Sequence, residues 1–297
     1  MATAGIVAEY NPFHRGHAWH IARTRQTLGA DTAVVCVMSG HWVQRGECAL
    51  TDKWSRVALA LSGGADLVLE LPTPWAMASA EAFARGAVGL LAATGVVDVL
   101  SFGSETGELA PLRAAAAALR ALPSGMEALT IPRRGAAHDG PAAGGFASAS
   151  ELRTLLRAGR AAEADPYLTA PWSGEAASMA HIDRAVLARL RTMDEVDWAA
   201  LPDGGAAEGL PARLARSART ADSLEDFYAR AKTKRYPHAR LRRLALAAFL
   251  GLRAAERPPA APYVRVLGLS GRGRELLRRM KETCALPVVV KPAQARA

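Results

Sequence analysis

Continuous apolar runs that alternate with helical patterns constrain the fold of this chain more than any other feature. Five such runs lie at residues 4–8, 32–38, 67–71, 96–102 and 129–131. The intervals between them show helical periodicity, at residues 18–28, 52–62, 79–93 and 109–122. Runs without polar alternation are typical of parallel strands buried on both faces, and regular strand–helix alternation builds such a sheet. The sequence therefore predicts an α/β fold with a Rossmann-like parallel sheet.

Polar and glycine-rich segments follow the carboxyl ends of the predicted strands. These segments are residues 10–17, 39–47, 72–81 and 103–106. Ligands of open parallel sheets bind at that edge. We expect the functional site to be assembled from these segments.

The chain divides into three predicted parts. Residues 1–160 form a catalytic domain, residues 161–211 a helical connection and linker, and residues 212–297 a basic, mainly helical region. Within the second and third parts, helices are predicted at 180–200, 212–220, 222–232, 238–254 and 271–283, with short strands at 264–269 and 287–290. The glycine- and alanine-rich residues 135–147 are predicted to form a mobile loop.

Charge is distributed unevenly along the chain. Of a formal net charge of +9, the part from Arg213 to the C-terminus carries 20 Lys/Arg against 6 Asp/Glu, so the rest of the chain is acidic. A basic region attached to an acidic body is typical of a catalytic part combined with a polyanion-binding part. A solvated, arginine-rich surface is the alternative interpretation.

Several classes of protein are not supported by the sequence. Cys36, Cys48 and Cys284 are scattered, with neither a metal-site spacing nor a disulfide framework. No G-x-x-x-x-G-K-[ST] loop or cluster of metal ligands is present, so any Mg²⁺ is expected to arrive with a nucleotide. Without a signal peptide or a membrane-length apolar run, we expect a cytoplasmic protein with no membrane partner; no protein partner is evident either.

The segment His14-Arg15-Gly16-His17 follows the first predicted strand and precedes a helix. It fits H-x-G-H, the phosphate-binding signature of α/β nucleotidyltransferases and class I tRNA synthetases. Gly16 would let a nucleotide approach the backbone, and the helix start would offer N–H groups to phosphate. His14 and His17 would donate to the phosphates as charge builds in the transition state, so both are predicted to be catalytic.

A second candidate phosphate site lies in the segment SASELR, which begins at Ser148. It resembles the S/T-x-x-R signature of the same superfamily. Ser148 and the helix N-terminus would meet the β- and γ-phosphates, and Arg153 would neutralise them. A plain helix cap with a surface arginine is the alternative.

The loop SGHWVQRGE and the helix after it are also at the ligand edge. Gln44, Arg45 and Lys53 are candidates for substrate contact, or else ordinary polar loop residues. For Asp66 and Glu70, in the run GADLVLELP, a packing role is favoured.

A cluster of basic residues surrounds a tyrosine near residue 235. Such a cluster suits a phosphate backbone with a base that can stack on the ring, although a generic basic helix has the same composition. The predicted nucleic-acid-binding residues are Lys232, Lys234, Arg235, Tyr236, Arg240 and Arg243.

Taken in order, seven segments resemble one bacterial family. They are GIVAEYNPFHRGH, MSGHWVQRGE, DKWSR, GADLVLELP, FGSE, KTKRYPHARLRR and YVRVLGLSGRGRELLRRMK. Together they span the chain and are similar to the tRNA(Met) cytidine acetate ligase family. The resemblance implies that ATP activates acetate to acetyl-adenylate. The acetyl group would then pass to N4 of the wobble cytidine of elongator tRNA(Met). ATP, Mg²⁺, acetate or another small carboxylate, and tRNA are the implied ligands.

The resemblance also implies a set of ATP contacts, to which the SASELR segment adds two. The expected ATP-binding residues are Ile6, Val7, Ala8, Glu9, Tyr10, Asn11, Pro12, Phe13, Gly16, His20, Gly103, Arg133, Ser148 and Arg153.

The chain departs from the family between FGSE and TIPRR. The family has a longer insertion there with an asparagine that contacts ATP, whereas residues 106–130 contain no asparagine. Three hypotheses follow: the family activity, an acyl or nucleotidyl transferase acting on another small amine or nucleoside, and a tRNA-binding protein without catalysis. HRGH and SASELR speak against the third, and KTKRYPHARLRR speaks against the second.

Overall fold

The computed structural model describes residues 2–104, 125–132, 142, 144–205 and 209–291. The helix predicted at 109–122 and the candidate Arg133 lie outside the described residues.

A mostly parallel seven-stranded sheet forms the centre of the protein, in the order β7-β6-β1-β2-β5-β8-β9. Among the described strand pairs of this sheet, only β5 with β8 is antiparallel, and β9 pairs parallel to β8. A separate antiparallel hairpin joins β3 to β4. In chain order the strands are β1 Thr3–Ala8, β2 Ala33–Ser39, β3 Trp42–Val43, β4 Glu47–Cys48, β5 Leu67–Leu71, β6 Val99–Ser104, β7 Glu127–Pro132, β8 Val264–Leu269 and β9 Val288–Val289. The predicted α/β fold is confirmed.

Helices cover both faces of the sheet. In chain order the described helices are α1 Arg15–Leu28, α2 Lys53–Ser62, α3 Thr73–Ala76, α4 Ala80–Ala93, α5 Ala149–Arg157, α6 Ala161–Ala164, α7 Asp183–Arg191, α8 Glu195–Ala199, α9 Leu210–Thr220, α10 Leu224–Ala231, α11 His238–Leu250 and α12 Gly271–Thr283. On one face, α1 and α2 bury Ile21 and Val57 against the sheet. On the other face, α4 and α12 bury Leu91 and Leu276. These two apolar layers explain why β2 is buried along its whole length.

The C-terminal strand and helix belong to the sheet, although the sequence analysis grouped them with the basic region. Asp66 holds this junction, because its carboxylate accepts hydrogen bonds from Ser270 Oγ at 2.9 Å and Arg25 Nη2 at 2.6 Å. The packing role predicted for Asp66 agrees with these contacts. Local sequence did not reveal the junction because the pairing partners are almost 200 residues apart.

Helices α7 to α11 form a helical module with its own core, centred on Trp198, Phe227 and Leu244. The β3–β4 hairpin contacts this module through Gly46, which has φ +74°. A Cβ at Gly46 would overlap the backbone nitrogen of Arg243. The hairpin therefore connects the sheet to the helical module by close backbone contact.

Two predicted helices differ from the observed ones. The predicted helix 180–200 is divided into Met179–Ile182, α7 and α8, because Asp194 caps α8 by accepting the Asp197 N–H at 2.8 Å. The predicted helix 238–254 ends at Leu250, because Gly251 takes the left-handed conformation that terminates helices. Within the described residues, no helix has both the length and the apolar character to cross a membrane.

Candidate active site

A cleft of about 340 Å³ opens at the carboxyl ends of β1, β6 and β7, beside the starts of α1 and α5. The residues that line it are Ile6, Val7, Ala8, Tyr10, His14, Gly16, His17, Trp19, His20, Phe102, Gly103, Ile131, Phe146, Ala147, Ser148 and Ala149. The cleft therefore lies at the sheet edge where the sequence predicted the site.

The two predicted catalytic histidines lie side by side at the start of α1, with ring centroids 3.9 Å apart. His14 Nδ1 accepts the Gly16 N–H at 3.1 Å, and His17 Nδ1 accepts the His14 N–H at 3.3 Å. Since each Nδ1 is an acceptor, the proton of each neutral ring is on Nε2. Nε2–H is therefore the donor of each ring, and both histidines line the cleft.

Gly16 is required here for a reason that the sequence did not reveal. A Cβ at this position would lie 2.8 Å from His14 Cε1 and 3.0 Å from His14 Nδ1. Glycine therefore lets the His14 ring fold back over the first turn of α1. The Gly16 and His17 amides are already hydrogen-bonded to His14. In this conformation these two amides of the helix start are therefore not available to phosphate.

His20 is oriented by the neighbouring strand β6. Its Nε2 lies 3.0 Å from Ser101 Oγ, which is 2.7 Å from Thr24 Oγ1. Thr24 in turn donates to the His20 carbonyl at 2.9 Å. This closed network fixes a third imidazole on the cleft wall.

Aromatic and apolar side chains form a wall that the sequence analysis missed. Trp19 and Phe146 meet edge to face with centroids 6.5 Å apart, and Phe102 and Ile131 complete this surface. Phe146 lies in the segment predicted to be a mobile loop. An aromatic residue within a glycine- and alanine-rich stretch was the available signal. Such a wall suits a planar, uncharged ligand group.

The residues from Tyr10 to Phe13 hold the turn that carries the histidines. Tyr10 lines the cleft, and its hydroxyl lies 3.1 Å from Cys36 Sγ; burial raises the pKa of Tyr10 strongly. Asn11 Oδ1 accepts the Leu50 N–H at 2.7 Å, and Phe13 is 1% exposed. Asn11, Pro12 and Phe13 were expected to bind ATP, but they are buried behind the cleft.

Glu9 lies at the end of β1 but does not line the cleft. Its Oε1 accepts the Gln44 N–H at 2.7 Å. Burial raises the pKa of this carboxyl, while the Gln44 hydrogen bond and three nearby arginines act in the opposite direction. The position supports a role in fixing the 39–47 loop against β1.

Arg56 joins the carboxyl ends of β1 and β2, and the sequence analysis did not assign it a role. This fully buried guanidinium donates to the carbonyls of Glu9 at 2.6 Å, Ser39 at 3.2 Å and Gly40. Burial lowers its pKa to about 10. The DKWSR segment therefore contributes a structural arginine beneath the ligand edge.

Arg153 braces the HRGH turn and does not line the cleft. Its Nη1 donates to the Asn11 carbonyl at 2.9 Å and its Nη2 to Ser150 Oγ at 3.0 Å. Burial lowers the pKa of Arg153. Ser148 does line the cleft, and its Oγ also caps α5 by accepting the Glu151 N–H at 3.2 Å.

The candidates in the 39–53 segment make contacts within the protein. Gln44 Nε2 donates to the Ala78 carbonyl at 3.2 Å. Lys53 Nζ lies 2.6 Å from Glu70 Oε1, and Arg265 Nη1 lies 3.2 Å from Glu70 Oε2. These contacts agree with the packing role predicted for Glu70. Arg45 is half-buried close to Glu9. Its positive charge partly offsets the rise in the Glu9 pKa that burial causes.

The basic cluster divides into exposed and buried members. Lys232, Lys234 and Arg235 are exposed, whereas Tyr236 is 5% exposed and packs in the core of the helical module. The prediction that Tyr236 stacks on a base was wrong, because its ring is covered. Arg240 and Arg243 are half-buried and donate to the carbonyls of Asp203 at 3.1 Å and Gln44 at 3.4 Å.

No carboxylate lines the cleft in the described part of the chain. Those residues also contain no group of three or more His, Cys, Asp or Glu able to hold a metal ion. The chemistry of this lining does not fit a dedicated protein cage for a cation.

The parallel sheet, the cleft at its carboxyl edge and the paired histidines at a helix start define an α/β nucleotidyltransferase. The profile of the HIGH Nucleotidyl Transferase family matches residues 1–121 and 114–297. Two relatives named tRNA(Met) cytidine acetate ligase come from Lactiplantibacillus plantarum and Levilactobacillus brevis. The first is 34% identical, over 98% of this chain and 89% of the relative. The second is 33% identical, over 97% and 88%. The chain therefore belongs to the tRNA(Met) cytidine acetate ligase family of HIGH nucleotidyltransferases.

Solved structures resemble this fold along its whole length. The crystal structure of Thermotoga maritima TmcAL in apo form I superposes with a TM-score of 0.88, at 28% identity, covering 100% of this chain and 87% of that one. The form II crystal structure of the same protein, bound with alpha-thio ATP, gives a TM-score of 0.84 at the same identity and coverage.

Alignments to the relatives are longer than this chain. They run over 346 positions for the L. plantarum protein and 339 for the L. brevis protein, against 297 residues here. The relatives therefore carry segments that this chain lacks, in agreement with the short interval between FGSE and TIPRR.

Proposed function

We propose that this protein activates acetate with ATP and transfers the acetyl group to N4 of the wobble cytidine of elongator tRNA(Met). The observation that carries the proposal is the pair of Nε2–H donors at the ligand edge, set by the Nδ1 contacts of His14 and His17. The name of the relatives supplies tRNA(Met), cytidine and acetate as substrates, and the alpha-thio ATP bound to T. maritima TmcAL supplies the nucleotide. Because those substrates include tRNA and ATP, we assign the protein to the cytoplasm.

The first step is adenylation of the acid. A carboxylate oxygen attacks the α-phosphorus of ATP, and the bond from the α-phosphorus to the bridging oxygen breaks to release pyrophosphate. Negative charge grows on the phosphate oxygens, and Nε2–H donors of His14 and His17 stabilise it. The aromatic wall of Trp19 and Phe146 supports the base of the nucleotide. The cleft residues Ile6, Val7, Ala8, Gly16, His20, Gly103 and Ser148 are assigned to ATP binding.

The second step is transfer to the acceptor. The cytidine N4 nitrogen attacks the acyl carbon, the bond to the adenylate oxygen breaks, AMP leaves, and the nitrogen loses its proton to solvent. Mg²⁺ enters with ATP as part of the substrate, because the cleft lining offers no carboxylate to hold it. The exposed Lys232, Lys234 and Arg235 of the helical module are assigned to the RNA backbone.

The test is an assay with purified protein, ATP, acetate and bulk tRNA, followed by mass spectrometry of the tRNA nucleosides. N4-acetylcytidine that depends on both ATP and acetate supports the proposal. Acetyl-CoA without ATP should give none. The tRNA used must contain no N4-acetylcytidine at the start. If none forms in the presence of ATP and acetate, the proposed transfer is contradicted.

A second candidate is acyl transfer to another small amine or nucleoside. The observation that favours it is the segment present in the relatives and missing here. In the same assay this candidate predicts acid-dependent pyrophosphate release without N4-acetylcytidine in tRNA, together with acylation of free nucleosides.

A further inference from the structure

A second cavity, of about 430 Å³, lies between the β3–β4 hairpin, the end of α5 and the helical module. Its lining residues Gly46, Glu47 and Arg242 lie in segments that resemble the family, but the adenylation chemistry does not use this cavity. Helix α5 begins at the ATP cleft beside Ser148 and ends with Arg157 in the wall of this cavity. Nine residues of helix span about 13 Å, so the length of α5 separates the two cavities.

Charged groups are fixed in the wall of this cavity. The Glu47 carboxylate accepts hydrogen bonds from Arg157 Nη2 at 3.1 Å and from Arg242 Nη1 at 2.9 Å. Asp183 Oδ1 accepts the Leu224 N–H at 3.0 Å on another part of the wall. The cavity therefore presents donors and acceptors together. A wall of mixed charge suits an uncharged polar group better than a phosphate.

Tyr228 provides an independent sign that a ligand binds here. Its side chain is 4% exposed and lines the cavity. Its hydroxyl makes no hydrogen bond to another described residue and is not one of the buried polar atoms left unsatisfied, so it is accessible from the cavity. The Arg242 guanidinium lies 5.8 Å from the ring centroid. An aromatic ring, a planar cation and a hydroxyl accessible from the cavity together match the flat, hydrogen-bonding outline of a nucleobase.

We propose that this cavity binds an unpaired base of the acceptor RNA and so determines which RNA is accepted. At 3.4 Å per stacked nucleotide, the distance of about 13 Å places that base within about four nucleotides of the target cytidine. The inference rests on the proposed function, because it requires an RNA acceptor.

The experiment measures binding and needs no catalysis. A labelled RNA stem–loop that contains the target cytidine is titrated with the full chain, and each loop base is replaced in turn by an abasic site. With the wild-type protein, removal of one base near the target should weaken binding about tenfold. Tyr228→Phe, which removes only the hydroxyl, should reduce the effect of that base. Ala180→Trp, which fills the cavity from an exposed position in its wall, should abolish it.

Ala162→Trp is the matched control, since Ala162 is exposed and lines neither cavity. Pyrophosphate release with ATP and acid should stay within about twofold in all three variants, because these sites are separate from the cleft. The proposal is overturned if removing each loop base changes RNA affinity by the same factor in wild type, Ala180→Trp and Tyr228→Phe. If that profile changes as expected but wild type forms no N4-acetylcytidine, the proposed function fails and the base-binding cavity stands.

Discussion

The Nδ1 atom of His14 accepts the backbone N–H of Gly16 at 3.1 Å. This contact folds the first imidazole of the HRGH segment over the start of α1 and leaves the proton of the neutral ring on Nε2. His17 makes the equivalent contact with the His14 N–H. Hydrogen bonds within the first turn of α1 thus hold both imidazoles, and the proposed adenylation chemistry depends on them.

His17→Ala should lower acid-dependent pyrophosphate release by about 10² to 10³, the usual cost of one transition-state donor. RNA affinity should not change, because the exposed basic residues lie on the helical module. His181→Ala is the matched control, since His181 is exposed and lines neither cavity. A His17→Ala protein with full turnover would remove the assigned role.

Gly16→Ala should reduce the same activity while the protein stays folded. The added Cβ would lie 2.8 Å from His14 Cε1 and displace the imidazole from its cap position. Gly89→Ala is the control, because a Cβ at that helical glycine would meet no neighbouring atom within 4 Å, and alanine there should stabilise the protein by about 0.5–1 kcal/mol. Equal activity in the two variants would show that the His14 ring does not require glycine beside it.

Gly46→Ala should destabilise the protein more than Gly251→Ala. Both glycines have φ above +70°, so alanine costs about 1–2 kcal/mol at each for its left-handed backbone. Only at Gly46 would the Cβ also overlap the Arg243 backbone, which should add about 1–3 kcal/mol. Urea denaturation monitored by tryptophan fluorescence measures both. Equal destabilisation would mean that the hairpin does not need close contact with α11.

Glu9→Gln should change how stability depends on pH. Burial raises the Glu9 pKa in the folded state above its ordinary value of 4.5. At pH values between the unfolded-state pKa and the folded-state pKa, the folded state therefore binds more protons than the unfolded state. In that window the wild-type protein loses stability as pH rises. Glutamine keeps an acceptor for the Gln44 N–H without the charge. The variant should therefore match wild type at the acid end and gain relative stability above it. A constant difference at all pH values would contradict the raised pKa.

The sequence was sufficient for features with a strong local pattern. The runs at β1, β2 and β5 and the HRGH turn could be predicted because buried parallel strands and a glycine between two histidines are local patterns. Features that depend on tertiary packing could not be predicted from the sequence. Tyr236 can cover a core or stack on a base, and only tertiary packing decides between them. Arg153 and Arg56 were charged residues near the ligand edge, yet both are used on backbone carbonyls. Phe146 reaches the cleft from a segment with no regular pattern.

Replacing Lys234 and Arg235 together by alanine should weaken RNA binding and reduce its salt dependence. Each lost phosphate contact lowers the slope of log K against log salt by about 0.7 to 0.9, so the pair should lower it by about 1.4 to 1.8. Arg85→Ala with Arg160→Ala is the control, since these exposed arginines pair with Glu81 and Glu163, close to them in the chain. Identical salt slopes in the two double variants would remove the assignment of this cluster to RNA.

The most direct test of the central claim follows the oxygen atoms of the acid. The protein is incubated with acetate labelled with ¹⁸O in its carboxylate, ATP and tRNA, and the released nucleotide is analysed by mass spectrometry. If the carboxylate attacks the α-phosphorus and the acyl carbon is then captured by the cytidine nitrogen, AMP leaves with one labelled oxygen and pyrophosphate carries none. Labelled AMP that forms together with N4-acetylcytidine, and that is lost in His17→Ala, is the expected result. Label in inorganic phosphate with ADP as the nucleotide, or unlabelled AMP, would contradict activation of the acid through an adenylate.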